Sequence, residues 1–325
     1  MENLIFLIYI SRSGSTYLCK LLDKYKDIGV SIEAVFPDGI INRPLTIKNE
    51  LHVEYAIKKL YKNIKFKEWG INEEDLIAEI KRNNNYPITF DKLLSTLLKL
   101  YFRKKKPSTK IYIYKSPYAG HIGEVKKIFP NSKFVFIIRD GRAIYYSQKK
   151  SKESTKGKPM TDNPIRTAIG YNKVIREVIK YENKSWLEII KYEDLIRNKN
   201  FEIDKLLKFL NVNSKKVGSS NYFEKIPNNQ KYLHKNIKSG PIVSRINVWK
   251  KKLCVEERFV FQQACFKTLY SFNYPMEKID FGKMKQIYIY YKFYLHYIFK
   301  RFLDKFRAFL DFDYLLNRIW YKLFK

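Results

Sequence analysis

Residues 12–16, Arg-Ser-Gly-Ser-Thr, place one guanidinium, three hydroxyls and a glycine in consecutive positions. That set suits an oxyanion. Arginine presents a planar fork of donors that matches phosphate geometry, and Ser13, Ser15 and Thr16 add hydroxyl donors. A second group of the same character is Arg139-Asp140-Gly141-Arg142, followed by Ser147. Lys115, in Lys115-Ser116-Pro117-Tyr118, supplies a third cation. Glu33 closes a short apolar stretch beyond the first group, where a carboxylate can return to face an anion site.

Each of these groups follows a segment that reads as a strand. Leu4–Ile10 is an apolar run rich in Ile, Phe and Tyr, and predicts a buried strand. Ser11–Ser15 is a small polar turn containing Gly14, and from Thr16 onward Leu18, Leu21 and Leu22 fall at helical spacing. The first N–H groups of a helix lack internal partners and carry the positive end of its dipole, so this order makes an anion cradle. Taken alone it also fits an ordinary strand, turn and helix. Asp27–Glu33 reads as a short second strand and Phe36–Pro44 as a loop. Lys110–Tyr114 is the next strand, His121 caps a helix running to Phe129, and Lys133–Ile138 is a buried strand that delivers Arg139. Trp186–Ile190 is a further strand; Lys191-Tyr192-Glu193-Asp194-Leu195 after it reads as packing and helix initiation, remote from the cradles. Strands alternating with helices predict an α/β fold, P-loop-like and three-layered (α/β/α), with a parallel sheet of four or five strands whose carboxyl ends carry the site.

Between these segments lie stretches without evident chemistry. Residues 45–106 are helical and basic, with a helix start at Asn72 before three acids and a second helix over Asp91–Arg103. They read as an insertion on the acceptor side. Lys149–Pro159 has the composition of a mobile lid, and Asn163–Asn183 that of a long helix. The tail, 282–325, is a separate aromatic and basic helical segment after a domain spanning 1–281; such a helix suits a membrane interface or packing on the core.

At 325 residues the chain can bury a large core, and 64 lysines and arginines against 32 acids give a net charge of +32, which fits either anionic partners or a biased composition whose lysines solvate the surface. Cys19, Cys254 and Cys265 are far apart, arguing against a disulfide framework or zinc site. The N-terminus shows neither a basic region nor a small-residue cleavage site, and no apolar run is long enough to span a bilayer. The expected location is cytoplasmic, with the tail as a peripheral membrane contact.

An ATP- or GTP-binding loop reads G-x-x-x-x-G-K-[ST]. Here no glycine stands five residues before Gly14, and the lysine is replaced by the earlier Arg12. Arg-Ser-Gly-Ser-Thr after a first strand resembles instead the 5′-phosphosulfate loop of the sulfotransferases, which use 3′-phosphoadenosine 5′-phosphosulfate (PAPS). Residues 129–147, FPNSKFVFIIRDGRAIYYS, resemble their 3′-phosphate segment. The resemblance covers roughly 3–34, 110–150 and 185–255. It implies that Arg12, Ser13, Gly14, Ser15 and Thr16 hold the 5′ end of PAPS, and that Arg139, Ser147 and Arg245 hold the 3′-phosphate with Trp249 packed beneath. It further implies that Lys115 contacts the sulfuryl group and that Glu33 is the general base, as in the tyrosylprotein and bacterial carbohydrate types. Pro117 stands where the hormone and phenol enzymes carry a catalytic His, which moves the base to Glu33; His234 is a secondary candidate. No metal is implied. The expected reaction is sulfuryl transfer to a hydroxyl, first a glycan or glycolipid hydroxyl, with tyrosine or a small alcohol open, and without specific nucleic acid binding. The rival readings are a Mg-dependent nucleotide kinase with a degenerate loop and a non-enzymatic basic protein that binds membranes or nucleic acid.

Overall fold

The computed structural model describes residues 3–33, 46–62, 64–82, 86–116, 118–151, 157–213, 215–217, 219–220, 222–232, 240 and 243–310. The backbone groups into two compact units. The first comprises Met1–Arg139, Ser154–Lys156 and Lys173–Asn247; the second comprises Asp140–Glu153, Gly157–Asn172 and Val248–Lys325.

The first unit is built on a five-stranded sheet of β1 (Leu4–Tyr9), β2 (Ile28–Val30), β3 (Ile111–Ser116), β4 (Lys133–Ile138) and β5 (Leu187–Lys191). Every pairing is parallel and the order is β2-β3-β1-β4-β5. Apolar side chains on both faces explain the near-continuous hydrophobic runs in the sequence, as expected of a parallel sheet covered on both sides. On one face Ile5, Leu7, Ile113, Val135 and Ile137 meet Leu18, Cys19 and Leu22 of helix α1 (Ser15–Leu22) and Ile203 and Leu206 farther along the chain. On the other, Phe6 stacks on Phe134 and meets Phe129 and Tyr114, and Tyr114 in turn meets Trp69. Helices therefore lie on both faces, giving the three-layer α/β arrangement.

Residues 45–106 supply α2 (Leu51–Tyr61), α3 (Glu73–Arg82) and α4 (Phe90–Lys105). Asn72 starts α3 as expected: its Oδ1 accepts from the amides of Glu74 and Asp75. This segment also belongs to the cover of the sheet, because Tyr101 of α4 packs on Trp69, which lies against Tyr114. Helix α5 (Ile122–Ile128) follows β3; His121 holds its N-cap position without a side-chain cap bond.

The second unit contains α6 (Gly141–Lys150), which leaves β4 directly, and the first half of α7 (Pro164–Ile179), whose second half lies in the first unit. Its centre is Arg142, fully buried. Arg142 donates to both carboxylate oxygens of Asp140, to Gln262 Oε1 and to the carbonyl of Pro275. Asp140 also caps α6 by accepting from the Arg142 amide. After β5 the chain enters α8 (Tyr192–Arg197) and α9 (Lys199–Leu210) in the first unit; α10 (Val255–Ala264) and α11 (Lys283–Leu310) lie in the second, with the short helices Val248–Lys252 and Phe266–Ser271.

Candidate active site

Parallel strands deliver their carboxyl ends to one edge, and the residues singled out in the sequence gather there within the first unit. Tyr9 ends β1, Lys115 is the penultimate residue of β3, and Arg139 follows β4. Glu33 arrives from β2, and the route is well determined. Ser31 donates its amide to the Ile113 carbonyl at 2.9 Å, accepts the Lys115 amide on its hydroxyl at 3.2 Å, and accepts the Tyr222 hydroxyl on its carbonyl at 3.1 Å. These bonds carry the chain from β2 along the end of β3, so the carboxylate two residues later meets the sheet edge. There the Tyr9 hydroxyl donates to Glu33 Oε2.

The turn after β1 has the form of an anion cradle. Arg12 adopts φ 75° and Gly14 φ 98°, both left-handed. The first value is uncommon for a residue with a Cβ and marks a turn held by its surroundings. Gly14 is required twice over, since a Cβ there would stand 2.3 Å from the Tyr192 ring. Helix α1 begins at Ser15 with neither a side-chain cap nor an acid in its first turn. Its leading amides thus face the edge with their dipole uncompensated by a carboxylate. Ser13 Oγ is buried and has no hydrogen-bond partner among the described residues. A buried hydroxyl of this kind is costly unless a ligand satisfies it, so the turn fits an oxyanion.

Cations surround this turn. Lys115, buried, donates from Nζ to Thr16 Oγ1 at 3.0 Å and lies 5.4 Å from the centre of the Tyr9 ring. Arg139 donates from Nη1 to the Arg12 carbonyl oxygen at 3.2 Å and stacks over the Tyr192 ring at 4.4 Å. Burial, and then the neighbouring Arg139 charge, lower the pKa of Arg12; Tyr232 and Tyr192 act in the opposite direction. Two guanidiniums in one partly desolvated place favour an anion between or upon them. Arg245 is exposed at the end of the 3-10 turn Val243–Arg245, and its charge reaches Tyr192. Burial raises the Tyr192 pKa, while Arg139, Arg245 and Arg12 draw it down.

Of the residues predicted from sequence, the first unit thus brings together Arg12, Ser13, Gly14, Ser15, Thr16, Glu33, Lys115, Arg139 and Arg245. Ser147 is half-buried on α6 in the second unit. Trp249 is also there, buried, with the Arg142 guanidinium 4.2 Å over its ring. One face of its ring thus packs on a buried arginine, a partner its sequence position gave no hint of. Pro117, His234 and residues 152–156 of the expected lid lie outside the described residues.

Two residues were not anticipated. Tyr192 sits on Gly14 and Arg139 rather than remote from them, and Tyr9 orients Glu33. Burial first, and then Glu33, hold the Tyr9 pKa well above its usual value, so Tyr9 stays a donor. Each directly terminates or follows a strand at the edge that carries the cations, a position that marks the residue without telling what its ring or hydroxyl meets. Cys19 lies beneath, its thiol pushed up by burial to about 11, which leaves it inert as a nucleophile.

Comparison with known proteins bears on this geometry. The sulfotransferase family matches residues 5–215. A Caenorhabditis briggsae protein assigned as a protein-tyrosine sulfotransferase is 23% identical over 214 residues, covering 65% of this chain and 66% of its own. A Drosophila melanogaster protein-tyrosine sulfotransferase is 25% identical over 215 residues, covering 64% of this chain and 38% of its own. The chain therefore spans just under two thirds of the first relative and under half of the second. Among solved structures, the sulfotransferase domain from the curacin biosynthetic pathway shares the fold with a TM-score of 0.53 at 14% identity, covering 85% of this chain and 99% of that one. The sulfotransferase domain of the Synechococcus PCC 7002 olefin synthase gives 0.53 at 15% identity, covering 85% and 96%.

Proposed function

This chain belongs to the sulfotransferase family, and from that premise we propose that it transfers a sulfuryl group from PAPS to an acceptor hydroxyl. The observation that carries the reading is the pairing, at one sheet edge, of Lys115 on Thr16 with Glu33 on Tyr9. A fixed cation and a fixed carboxylate flank the same cradle.

PAPS, when bound, supplies an activated sulfuryl group. Ser13, Ser15, Thr16 and the first amides of α1 hold its 5′ end, with Arg12 adding charge. Arg139 and Arg245 hold the 3′-phosphate from beside Tyr192. Glu33 takes the proton from the acceptor hydroxyl, a contribution worth about 10²–10⁴-fold in rate. Lys115 and Arg12 stabilise the charge that develops on the departing phosphate oxygens, the role that preorganised cations and amides play in group transfer.

The names of the two curated relatives support a tyrosyl hydroxyl as acceptor, ahead of the glycan or glycolipid hydroxyl put first from the sequence. The test is direct. The protein is incubated with ³⁵S-labelled PAPS and, in parallel, an acidic tyrosine peptide, its phenylalanine counterpart and a glycan acceptor. Label confined to the tyrosine peptide supports the full reading; label on the glycan keeps sulfuryl transfer and overturns the acceptor. Label on none of them, with ³²P passing from ATP to any of them in Mg²⁺, overturns the reading in favour of a kinase.

A further inference from the structure

Helix α11 (Lys283–Leu310) carries two apolar faces, and the fold uses one. Ile289 is buried, and Phe293 and Tyr297 pack beside it against Ile165, Phe259 and Val260. The Asn163 side chain donates to the Phe293 carbonyl at 2.9 Å and Lys300 pairs with Asp162, fixing which side faces the second unit.

The opposite side bears Tyr288, Tyr291, Leu295, Phe299, Phe302 and Phe306, each more than half exposed. Their spacings are 3, 4, 4, 3 and 4 residues. At about 100° per residue they fall within roughly 80° of the circumference, a straight stripe about 27 Å long. A stripe of that size has no counterpart in core packing, because the core contact of α11 is made by the other face. Large contiguous apolar patches of this kind mark interaction surfaces.

The charges beside the stripe decide its partner. Seven basic residues and one acid occur between Lys283 and Leu310. By the same helical count Lys285 and Lys292 border one edge of the stripe and Lys305 the other, with Lys283 and Arg301 about 80° beyond that second edge. The acid, Asp304, falls on the core side, where its carboxylate is 4.0 Å from Arg166. Two copies packed stripe to stripe would bring like-charged borders together, which is unfavourable. An anionic bilayer surface complements both borders at once and accepts the aromatic stripe at the depth of the headgroups. No described helix is long and apolar enough to cross a membrane, so the contact is one of lying on the surface.

We propose that α11 docks this chain on an anionic lipid bilayer, in the plane of the surface, with Leu295, Phe299 and Phe302 sunk below the headgroups and the bordering lysines on the lipid phosphates. The inference stands apart from the reaction, since none of these residues belongs to the sheet edge.

The test is co-sedimentation of the full chain with vesicles of phosphatidylcholine alone or with roughly 30 mol% phosphatidylserine. The parent pellets with the anionic vesicles and is released by high salt. The variant Leu295→Ser/Phe299→Ser/Phe302→Ser partitions at least about tenfold less, as does Lys285→Glu/Lys292→Glu/Lys305→Glu. Because these side chains are exposed, nucleotide binding and circular dichroism stay at the parent's values. A Phe299→Trp variant reads the same event independently through a blue shift of its emission on anionic vesicles. A parent that pellets with neither vesicle, a stripe variant that pellets like the parent, or an unshifted Trp emission overturns the proposal. So does a parent dimer that the stripe variant converts to monomer without any vesicle partition, which would assign the face to a second copy.

Discussion

Arg139 Nη1 donates to the backbone carbonyl of Arg12 at 3.2 Å, so the residue that follows β4 is bonded to the turn that follows β1. The two strands are neighbours in the sheet, with Tyr9 opposite Ile137 in register. That pairing is why arginines 127 positions apart come to share one edge. The contact also explains their common environment. Tyr192 stacks on Arg139, covers Gly14 and feels the charge of Arg12 and Arg245 as well.

Glu33→Gln removes the carboxylate while keeping its shape and an acceptor for the Tyr9 hydroxyl. It lowers kcat by about 10²–10⁴-fold and leaves the dissociation constant of adenosine 3′,5′-bisphosphate within about twofold. Turnover equal to the parent's, measured with ³⁵S-labelled donor, would remove Glu33 from the chemistry.

Gly14→Ala places a Cβ against the Tyr192 ring in a left-handed backbone. The strain of that conformation alone is about 1–2 kcal/mol, and the ring must also give way. Nucleotide affinity falls by at least about tenfold, and the paired variant Gly14→Ala/Tyr192→Ala recovers part of the loss by making room. Titration calorimetry that finds the single variant unimpaired would refute the close approach of ring and turn.

Arg142→Ala leaves the Asp140 carboxylate buried beside an emptied site. Breaking a buried pair in this way costs about 3–5 kcal/mol, and the Trp249 ring loses the guanidinium stacked on it. Urea unfolding monitored by Trp fluorescence registers the loss as a lower midpoint, and a midpoint unchanged from the parent would contradict it.

Alkaline pH destabilises the chain through its buried tyrosines. Burial is the main cause holding the pKa values of Tyr9, Tyr114 and Tyr222 well above the usual value. These hydroxyls keep their protons in the folded state when the unfolded chain releases them near pH 10, so above that pH the unfolded state binds fewer protons. The stabilisation is complete below about pH 10 and is lost as pH rises, by up to about 4 kcal/mol per pH unit for three such groups. Urea midpoints at pH 9 and pH 11 test this; equal midpoints would show that the rings are not held as described.

The sheet was legible because its five strands are apolar runs that end in recognisable punctuation, Ser-Arg-Ser-Gly after the first and Arg-Asp-Gly after the fourth. The cations were legible for the same reason, since a strand end followed by a helix start is where an anion is held. Glu33 was legible as a carboxylate at the end of an apolar stretch, although the strand expected over Asp27–Glu33 stops at Val30 and Glu33 lies three residues beyond it. Tyr9 and Tyr192 were not, because a tyrosine beside an apolar run is read as packing, and nothing in a linear pattern distinguishes a hydroxyl that meets a carboxylate from one that meets a backbone carbonyl. Trp249 shows the converse limit. Its indole is engaged by Arg142, a residue 107 positions earlier, and only the fold reveals that pairing. The two faces of α11 were hidden too, since helical spacing marks apolar faces without telling which one the core will use.

Binding of adenosine 3′,5′-bisphosphate and of adenosine 5′-phosphate, titrated against the parent and Arg139→Ala, is the measurement closest to the account. The parent binds the bisphosphate at least about tenfold more tightly, and Arg139→Ala loses that preference while still binding the 5′-phosphate through the turn at Arg12 and Gly14. A parent indifferent to the 3′-phosphate, or a preference that survives Arg139→Ala, would contradict it.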